Sequence, residues 1–397
     1  MNRLPMLYLD VPFENESGGD KNRSRFLWQA LRETCSPDLI LMGHPPTTDH
    51  PAWTRFEPLA LLPPYCPPFP RSASIPSFRP QDHHQFQQFL REKQHQAVFA
   101  RFCSGWELCH RAAGQMPHLA MVMDVDMLSS RLAALSWASQ PSFRRRWFLF
   151  EKWKLRNFER QLFREPWLFF FTNPAELAEV RDHIAPHSAR GEFALLPNTM
   201  PRSRDLENIP RKPAILFFGS MDSAANIDGF AFLVDHVFPL LEEDLKNGAL
   251  EIHIVGKKPP AHFHQRLAQI GTDRVKIKGG VDSIERAIAE SLFVLLPLRI
   301  ASGTRTRILE AAAQRRAVVT TPIGAEGLDL GDSLLIGNTV EALAAHVRRL
   351  IAHRDEADAL GLRLHQRAVS LYSPDKVAAG LVRRVEDFVK RKKGNAP

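Results

Sequence analysis

Short apolar segments alternate with helix-patterned segments along most of this chain. In its C-terminal half the runs AILFFGS, EIHIVG and LFVLLPL are each followed by residues whose apolar side chains recur at helical spacing. Such alternation is typical of parallel sheets that carry helices on both faces. Because 397 residues exceed what one ordinary core accommodates, the pattern predicts an α/β protein with two doubly wound domains.

One segment interrupts the alternation near the middle of the chain. Residues 198–213, NTMPRSRDLENIPRKP, combine proline and mixed charge with no apolar period, which indicates a linker. We therefore predict an N-terminal domain over 1–197 and a C-terminal domain over 214–373. A final helical segment, 374–397, completes the chain.

Apolar runs and helical spacing also predict the individual elements. Strands are predicted at 6–13, 38–44, 97–102, 118–126, 167–171, 193–196, 214–220, 251–256, 274–279, 292–298 and 317–321. Helices are predicted at 21–34, 143–163, 226–241, 340–351, 355–371 and 374–390, with another beginning after Asn173. Proline is so frequent between 45 and 80 that we predict a long irregular loop there, either a lid that shapes a binding site or a poorly ordered segment.

Composition narrows the class of protein. No apolar run is long enough to cross a bilayer, and Pro5 and Asp10 interrupt the N-terminal segment before a signal-peptide core can form, so we expect a cytoplasmic protein. Four cysteines without a CxxC pair predict reduced thiols, and the histidines complete no metal-ligand pattern, so no metal site is expected.

The chain carries a formal net charge of +8, which indicates anionic partners. Phosphorylated small molecules, acidic lipid headgroups and nucleic acid all meet that description. The basic residues are not interleaved with stacking aromatics in a recognisable binding module, so nucleic acid is not expected.

The most informative stretch is PLRIASGTRTRILEAAAQRRAVVTTPIGAEGLD. A strand leads into a small-residue turn with Gly303, and Thr304 is positioned to cap a helix that continues through Glu310. The first amides of a helix have no internal partner and carry partial positive charge, and a glycine lets an anion approach the backbone. Arg305 and Arg307 add full positive charge at the same end. The stretch therefore predicts an anion site, although an ordinary capped helix with two surface arginines fits the spacing equally well.

A second strand, glycine turn and helix lie near the N-terminus. The polar turn ENESGGD ends with Gly18, Gly19 and Asp20, and a helix is predicted from Lys21, with Arg23 on its first turn. This arrangement also tolerates an anion. A plain surface turn is the alternative.

Charged residues end two of the predicted strands. Arg101 ends the strand at 97–102, and Asp124 and Asp126 end the strand at 118–126. Ligands of open parallel sheets bind at the carboxyl ends of the strands, so these side chains are candidates for chemistry. An aspartate that caps the next helix is the alternative.

The predicted helix at 143–163, FRRRWFLFEKWKLRNFERQLF, is rich in basic and aromatic residues. A helix of this composition can lie on an anionic membrane surface. It can also be partly buried with a solvated basic face, which is the interpretation that we favour from the sequence.

The stretch that contains Gly303-Thr304-Arg305 and Leu309-Glu310-Ala311 resembles the donor-binding segment of retaining glycosyltransferases of family 4. Members of that family have a Gly-Gly-Thr-Arg turn, a Leu-Glu-Ala helix and then a Gly-x-Glu-Gly-Leu turn, which here is GAEGL. The resemblance is to the branch of bacterial cell-surface and exopolysaccharide assembly, and it extends over most of the C-terminal half. It implies the GT-B fold, in which two Rossmann-like domains face a central cleft and the final helix crosses back to the first domain.

The resemblance also implies a substrate and a set of site residues. The donor is expected to be a nucleotide-diphosphate sugar, and no cofactor is expected. Donor-binding residues are expected at Gly219, Ser220, Lys257, Gly279, Val281, Ser302, Gly303, Thr304, Arg307 and Glu326. Acceptor-binding residues are expected at Gly18, Gly19, Asp20, Lys21, Arg23 and Arg101.

Three residues are assigned to catalysis on the same basis. Arg305 is expected to stabilise the departing diphosphate, Glu310 to bind the ribose hydroxyls, and Asp124 to position the acceptor or assist proton transfer. In the family the transfer retains anomeric configuration, and the departing phosphate oxygen is thought to take the acceptor proton. Amides and guanidinium groups can neutralise the developing charge without a metal ion.

The chain departs from the family pattern at two places. Many members carry an acidic residue eight positions before the helix glutamate, where this chain has Ser302. The common Arg and Lys after the first donor-domain strand are also missing, and Ser220 and Asn226 stand near those positions. Both departures put the identity of the sugar, and turnover itself, in question.

The leading interpretation is a retaining glycosyltransferase that moves a sugar to a cell-surface glycan or lipid-linked acceptor. Peripheral contact with an anionic membrane, at its inner face, stays open as a further expectation. Two alternatives remain open. One is a catalytically idle glycosyltransferase-like subunit that binds a nucleotide or a partner. The other is a sugar-nucleotide epimerase of the GT-B fold.

Overall fold

The structure is a computed structural model. It describes residues 3–10, 19–42, 60–62, 77–138, 142–185, 190–202, 209–221, 223–247, 251–257, 261–270, 274–300 and 303–394. The chain divides into two compact units: unit 1 contains 1–137, 141–198 and 375–397, and unit 2 contains 138–140 and 199–374. The division at 198/199 coincides with the start of the segment predicted as a linker.

Unit 1 is built on a parallel sheet of seven strands, in the order β3-β2-β1-β4-β5-β6-β7. The strands are β1 Leu4–Asp10, β2 Cys35–Met42, β3 Ala60–Leu62, β4 Ala97–Arg101, β5 Ala120–Asp126, β6 Leu168–Phe171 and β7 Glu192–Leu195. The helices are α1 Gly19–Thr34, α2 Pro80–Glu92, α3 Trp106–Gln115, α4 Ser129–Ala138, α5 Ser142–Leu162 and α6 Pro174–Glu179. Apolar clusters cover both faces of the sheet, and the C-terminal helix Pro374–Gly394 packs into one of them.

Unit 2 is built on a parallel sheet of six strands, in the order β10-β9-β8-β11-β12-β13. The strands are β8 Ala214–Phe218, β9 Glu251–Val255, β10 Val275–Ile277, β11 Phe293–Leu296, β12 Val318–Thr320 and β13 Leu335–Ile336. The helices are α7 Ala224–Phe232, α8 Phe238–Leu240, α9 Glu242–Lys246, α10 Ala261–Ile270, α11 Ile284–Glu290, α12 Thr306–Ala313, α13 Pro322–Ala325, α14 Val340–Ala352 and α15 Arg354–Tyr372. Helices lie on both faces of the sheet, over two separate apolar clusters.

The prediction of two helix-covered parallel sheets is confirmed. The central strands β8 and β11 are buried on both faces, which explains why they appear in the sequence as unbroken apolar runs.

Several predicted boundaries and segments are wrong. The proline-rich segment 45–80 is not entirely irregular, because β3 lies within it and pairs with β2. The first helix begins at Gly19 and not at Lys21. The predicted helix at 226–241 begins at Ala224 and changes at Leu233–Val237 to a π-helical turn. Most of the predicted 45–80 loop, and residues 11–13 of the first predicted strand, lie outside the described residues.

Candidate functional site in the second unit

Each sheet has one point where the strand order reverses. In unit 2 the chain moves outward from β8 to β9 and β10, and then returns to β11 on the other side of β8. All strands are parallel, so their carboxyl ends lie at one edge of the sheet. Crevices at such reversal points are where open α/β sheets bind ligands. The predicted donor residues follow β8, β9, β10, β11 and β12, which places them along this edge.

Arg307 reaches across the reversal point. It is the second residue of α12, which follows β11, and its Nη1 atom donates a 2.8 Å hydrogen bond to the carbonyl oxygen of Phe218, the last residue of β8. Within the described part of the chain, this is the one hydrogen bond of the guanidinium, and no carboxylate forms a salt bridge with it. Burial lowers the pKa of Arg307 to about 10, with an opposing effect from Glu310. A desolvated cation without a counter-ion is unfavourable, so an anion at this edge would stabilise it.

Gly219 leaves the space that Arg307 occupies. A Cβ atom at this position would lie 2.8 Å from Nη1 of Arg307 and 2.7 Å from Nδ2 of Asn226, and the backbone has φ +153°. Nδ2 of Asn226 in turn donates a 2.6 Å hydrogen bond to the carbonyl oxygen of Ser220. The side-chain amide of Asn226, on α7, therefore holds the turn after β8, and the guanidinium of Arg307, on α12, lies beside that turn.

Glu310 lies one turn further along α12. It is partly buried, and in the described residues its carboxylate has no hydrogen-bond or salt-bridge partner. Burial raises the pKa of Glu310 to about 7; Arg307 opposes the shift and Glu285 adds to it. The carboxyl group is thus divided between its two protonation states near neutral pH, and it can accept or donate a hydrogen bond.

Glu310→Gln is expected to raise the melting temperature at pH 8, and the gain should shrink as the pH falls towards 4.5. The folded-state pKa is raised, so the folded protein holds more protons than the unfolded chain between about pH 4.5 and 7, and the free energy of unfolding decreases as pH rises through that window. The glutamine side chain does not ionise, so the variant avoids the free-energy cost of ionising a buried carboxyl group. Thermal unfolding at several pH values measures the effect, with Glu243→Gln at an exposed position as the control. A gain independent of pH, or equal in the control, would contradict the assignment.

The start of α12 differs from the prediction. The helix begins at Thr306, and Arg305 occupies the capping position without a side-chain capping bond, so the prediction that Thr304 caps it is wrong. The amide of Thr306 donates to the carbonyl of Thr304 at 3.2 Å, and the amide of Ile308 donates to the carbonyl of Arg305 at 3.0 Å. These tight turns use two of the amides that the sequence predicted to be available for an anion. The positive charge at this helix start therefore comes mainly from side chains.

Arg305 is also held by its own turn. Its Nη2 atom donates a 2.6 Å hydrogen bond to the carbonyl oxygen of Gly303, which has φ +69°. Gly303 thus adopts the left-handed conformation that favours glycine. Ser302 lies outside the described residues.

The turn that follows β12 offers fewer amides than predicted. Thr321 caps α13 by accepting a 3.1 Å hydrogen bond from the amide of Gly324, and the amide of Ala325 donates to the Thr321 carbonyl at 3.0 Å. Glu326 follows at the end of this short helix and is partly buried. Its donor-binding role stays a prediction.

Backbone hydrogen bonds connect the remaining predicted donor residues at the ends of β8 and β9. The amide of Met221 donates to the carbonyl of Lys257 at 3.1 Å, and the amide of Gly256 donates to the carbonyl of Gly279 at 2.8 Å. Val281 packs against the apolar cluster beneath α12. The structure therefore brings Gly219, Ser220, Lys257 and Gly279 to one edge, and their contacts with a donor stay a prediction.

Two of the predicted acceptor residues of unit 1, Arg23 and Arg101, form a buried ion-pair network with Asp124. Arg23 donates to both carboxylate oxygens of Asp124, from Nη2 at 2.5 Å and from Nε at 2.9 Å, and Arg101 donates from Nη1 at 2.6 Å. Asp126 lies 3.4 Å from Nη2 of Arg101. The three directly bonded side chains are at most 3% exposed. Burial alone would raise the pKa of Asp124, but Arg23 and Arg101 outweigh it and hold the pKa below its usual range.

This geometry makes Asp124 a weak proton acceptor, because both of its oxygens are bonded to cations and its pKa is lowered. The network lies where the strand order of unit 1 reverses, between β1 and β4. Lys21 is partly buried, Gly18 lies outside the described residues, and the side chain of Asp20 is likewise not described. The catalytic role of Asp124, and the acceptor contacts predicted for Gly19 and the other residues, stay predictions.

The sequence did not identify two features of these sites. Asn226 was noted only as a departure from the family, and its hydrogen bond to the turn after β8 had no local signal. Asp126 and Phe102 have φ near +63°, which is unusual for residues with a side chain, and both directly follow or end a strand at the unit 1 edge.

Within the part of the chain that the structure describes, no set of three or more His, Cys, Asp or Glu side chains is placed to hold a metal ion. None of the helices in the described residues is long and apolar enough to span a membrane.

Comparisons with known proteins agree with this architecture. Residues 212–353 match the family model described as Glycosyl transferases group 1. The chain is similar to the structure of sucrose-phosphate synthase (tll1590) from Thermosynechococcus elongatus, with a TM-score of 0.71 and 15% identity over 98% of this chain and 100% of that one. A comparison with curated protein sequences gave no match.

Two further structures have the same fold. A glycosyltransferase from Rickettsia africae ESF-5 matches with a TM-score of 0.69 and 13% identity, over 98% of this chain and 100% of that one. Anabaena Alr3699/HepE in complex with UDP and glucose matches with a TM-score of 0.67 and 13% identity, over 97% of this chain and 100% of that one. The predicted GT-B architecture of two Rossmann-like domains is confirmed.

Proposed function

We propose that this chain is a retaining glycosyltransferase, on the basis of its GT-B fold and of the match to Glycosyl transferases group 1 at residues 212–353. Its donor is a nucleotide-diphosphate sugar that binds unit 2 at the carboxyl edge of β8 and β11. Its acceptor is a cell-surface glycan or a lipid-linked glycan precursor. HepE, a protein of the same fold, was solved with UDP and glucose, which supports a nucleotide-sugar donor.

The observation that carries the proposal is the position of Arg307. Its guanidinium is partly buried at the point of strand-order reversal and, in the described residues, has no carboxylate counter-ion. A diphosphate supplies the missing negative charge and accepts the remaining N–H bonds in a bidentate geometry. Cleavage of the glycosyl–phosphate bond increases the negative charge on the diphosphate, so a preorganised cation stabilises the transition state more than the ground state.

Arg307 also offers an explanation for one departure from the family. The basic residues that usually follow the first donor-domain strand are replaced here by Ser220 and Asn226. The guanidinium of Arg307 contacts Phe218, immediately before that turn. We infer that Arg307 of α12 provides, at the end of β8, the positive charge that basic residues after this strand provide in other members of the family.

In the proposed function Glu310 binds the donor, whereas Asp124 positions two arginine side chains. Glu310, on the same helix as Arg307, binds the ribose hydroxyls through a carboxylate for which the described residues supply no hydrogen-bond or salt-bridge partner. Asp124 acts through Arg23 and Arg101, whose guanidinium groups it orients at the carboxyl edge of unit 1. The acceptor proton passes to the departing phosphate oxygen, so the transfer does not need Asp124 as a base.

The test is an assay of the purified protein with a panel of nucleotide sugars, with and without a lipid-linked acceptor. We expect nucleoside diphosphate to be released from one donor, and faster when the acceptor is present. Formation of an epimerised sugar would identify an epimerase instead. Saturable nucleotide binding without release or epimerisation, for any donor and acceptor tried, would identify an idle binding subunit and contradict the proposal.

A further inference from the structure

Helix α5 of unit 1 carries a cluster of large apolar side chains that point to solvent. The exposed fractions are 51% for Leu149, 37% for Phe150 and 59% for Trp153. These three positions lie within a single helical turn, and the rings of Phe150 and Trp153 stack with their centroids 5.9 Å apart. Trp153 is the most exposed of the large apolar side chains in the described residues. We call these three residues the α5 patch.

The opposite face of α5 fixes the orientation of the patch. Leu155 and Leu162 are at most 4% exposed, and Phe158 packs against the unit 1 core. Glu159 is buried and accepts hydrogen bonds from the amide of Ser130 at 3.0 Å and from its hydroxyl at 2.5 Å. Rotation of the helix would break these bonds and expose the core residues. The patch is therefore a stable part of the surface and not a frayed end.

The charges on α5 favour an anionic partner. Its sequence, SFRRRWFLFEKWKLRNFERQL, has seven Lys or Arg and two Glu. Both glutamates are buried: Glu159 is held by Ser130, and Glu151 forms an ion pair with Lys154. Among the described basic residues of α5, Lys154 pairs with Glu151 and Arg156 pairs with Glu179. The positive charge that faces solvent therefore comes from Lys152, partly exposed beside the patch, and from Arg160, exposed two turns beyond it.

We propose that the α5 patch docks unit 1 on an anionic lipid bilayer. Leu149, Phe150 and Trp153 enter the interfacial region, where an indole ring with one polar atom is most stable, and the basic residues of α5 contact lipid phosphates. A protein partner fits less well, because three side chains on one turn form a much smaller apolar surface than a stable protein interface requires. A flat layer of phosphates matches both the basic flank and the small apolar patch.

This inference goes beyond the proposed function, since a sugar can be transferred with or without membrane contact. It also has a direct consequence for that function: a bilayer-bound unit 1 would hold the enzyme where a lipid-linked acceptor is located. The experiment below measures vesicle binding without donor or acceptor. Failure of the sugar transfer assay and failure of membrane docking can therefore be told apart.

The test is co-sedimentation of the full chain with phosphatidylcholine vesicles that contain about a third phosphatidylglycerol. We expect binding to these vesicles, and weaker binding both to pure phosphatidylcholine and at high salt, because screening reduces the headgroup attraction. The double variant Phe150→Ser and Trp153→Ser should bind at least ~10-fold less, because it removes two of the three apolar side chains that enter the interfacial region. Circular dichroism should show an unchanged fold, because both side chains are exposed.

Leu362→Ser is the matched control, because Leu362 is a large apolar residue, 44% exposed, on α15 of unit 2. It should bind vesicles as the unaltered protein does. The proposal is overturned if the double variant binds anionic vesicles as tightly as the control. It is also overturned if the unaltered protein binds neither kind of vesicle, or binds neutral vesicles equally well.

Discussion

Arg307→Ala should weaken the binding of the cognate nucleoside diphosphate by about 10-fold to 100-fold, which corresponds to roughly 1.5–3 kcal/mol for charge-assisted hydrogen bonds to a phosphate. The guanidinium lies at the end of β8 with a single backbone bond and, in the described residues, no salt-bridge partner. Its interaction with an anion is therefore not offset by a lost internal ion pair. Calorimetric titration with UDP, GDP and ADP measures the change.

Two further variants serve as a conservative substitution and as a control for this experiment. Arg307→Lys keeps the charge but not the planar fork, so it should recover part of the lost affinity. Arg348→Ala removes an exposed arginine of α14 that pairs with Asp244, and it should leave affinity unchanged. If Arg307→Ala and Arg348→Ala bind every nucleotide alike, Arg307 does not belong to the donor site.

Asp124→Ala should lower the free energy of unfolding of unit 1 by about 3–5 kcal/mol. The substitution leaves the guanidinium groups of Arg23 and Arg101 buried without the carboxylate that they share. A buried charge without its partner costs more than the pair itself stabilises. All seven tryptophans of the chain belong to unit 1, so fluorescence during urea denaturation reports on this unit specifically.

The control for this substitution is Asp329→Ala. Asp329 pairs with Arg367 at 2.9 Å, but its side chain is 76% exposed, and exposed pairs contribute at most about 1 kcal/mol. Asp329 belongs to unit 2, which contains no tryptophan, so unfolding of the Asp329→Ala variant is followed by far-ultraviolet circular dichroism. A loss for Asp124→Ala no larger than for Asp329→Ala would contradict the buried network.

The same network should respond to acid. The pKa of Asp124 is lowered in the folded state, so its stabilising contribution is present above the unfolded pKa of about 3.8 and is lost as the pH falls below that value. Asp124→Ala should therefore differ from the unaltered protein most at neutral pH, and the difference should narrow in acid.

The two sheets could be predicted from the sequence because their central strands are apolar on both faces. β5 and β11 are buried along their whole length, and such runs have no plausible alternative in a chain with helix-patterned neighbours. Helix α2 was missed because PQDHHQFQQFLRE has few apolar residues, and β3 was missed because it is short and lies among prolines. Neither element has a strong local pattern; both depend on packing against the rest of unit 1.

The sequence predicted that the proposed donor site lies at the start of α12, but it predicted the local geometry there only in part. The glycine turn and the two arginines mark the start of α12, which the structure places at the strand-order reversal. The sequence could not show that the Thr306 and Ile308 amides are used in tight turns, since this depends on the backbone path from Gly303. It also could not show the contact from Arg307 to Phe218, which are 89 residues apart.

For the charged residues at the strand ends of unit 1, the sequence predicted the positions but not the partners. Arg101 and Asp124 were predicted only as charged residues at the ends of two strands, and in the structure they pair across the register of β4 and β5. The sequence does not reveal that these charges neutralise each other inside the unit. Whether a strand-end carboxylate faces a ligand or an internal arginine depends on the path of α1, which brings in Arg23 from 101 residues away.

The central claim is that Arg307 and its neighbours at the start of α12 hold the diphosphate of the donor. A crystal structure of the protein with its bound nucleoside diphosphate tests this claim most directly. We predict phosphate oxygens within about 3 Å of the Arg307 guanidinium and the ribose hydroxyls at a similar distance from Glu310. A diphosphate bound elsewhere, with Arg307 still bonded only to Phe218, would contradict the account.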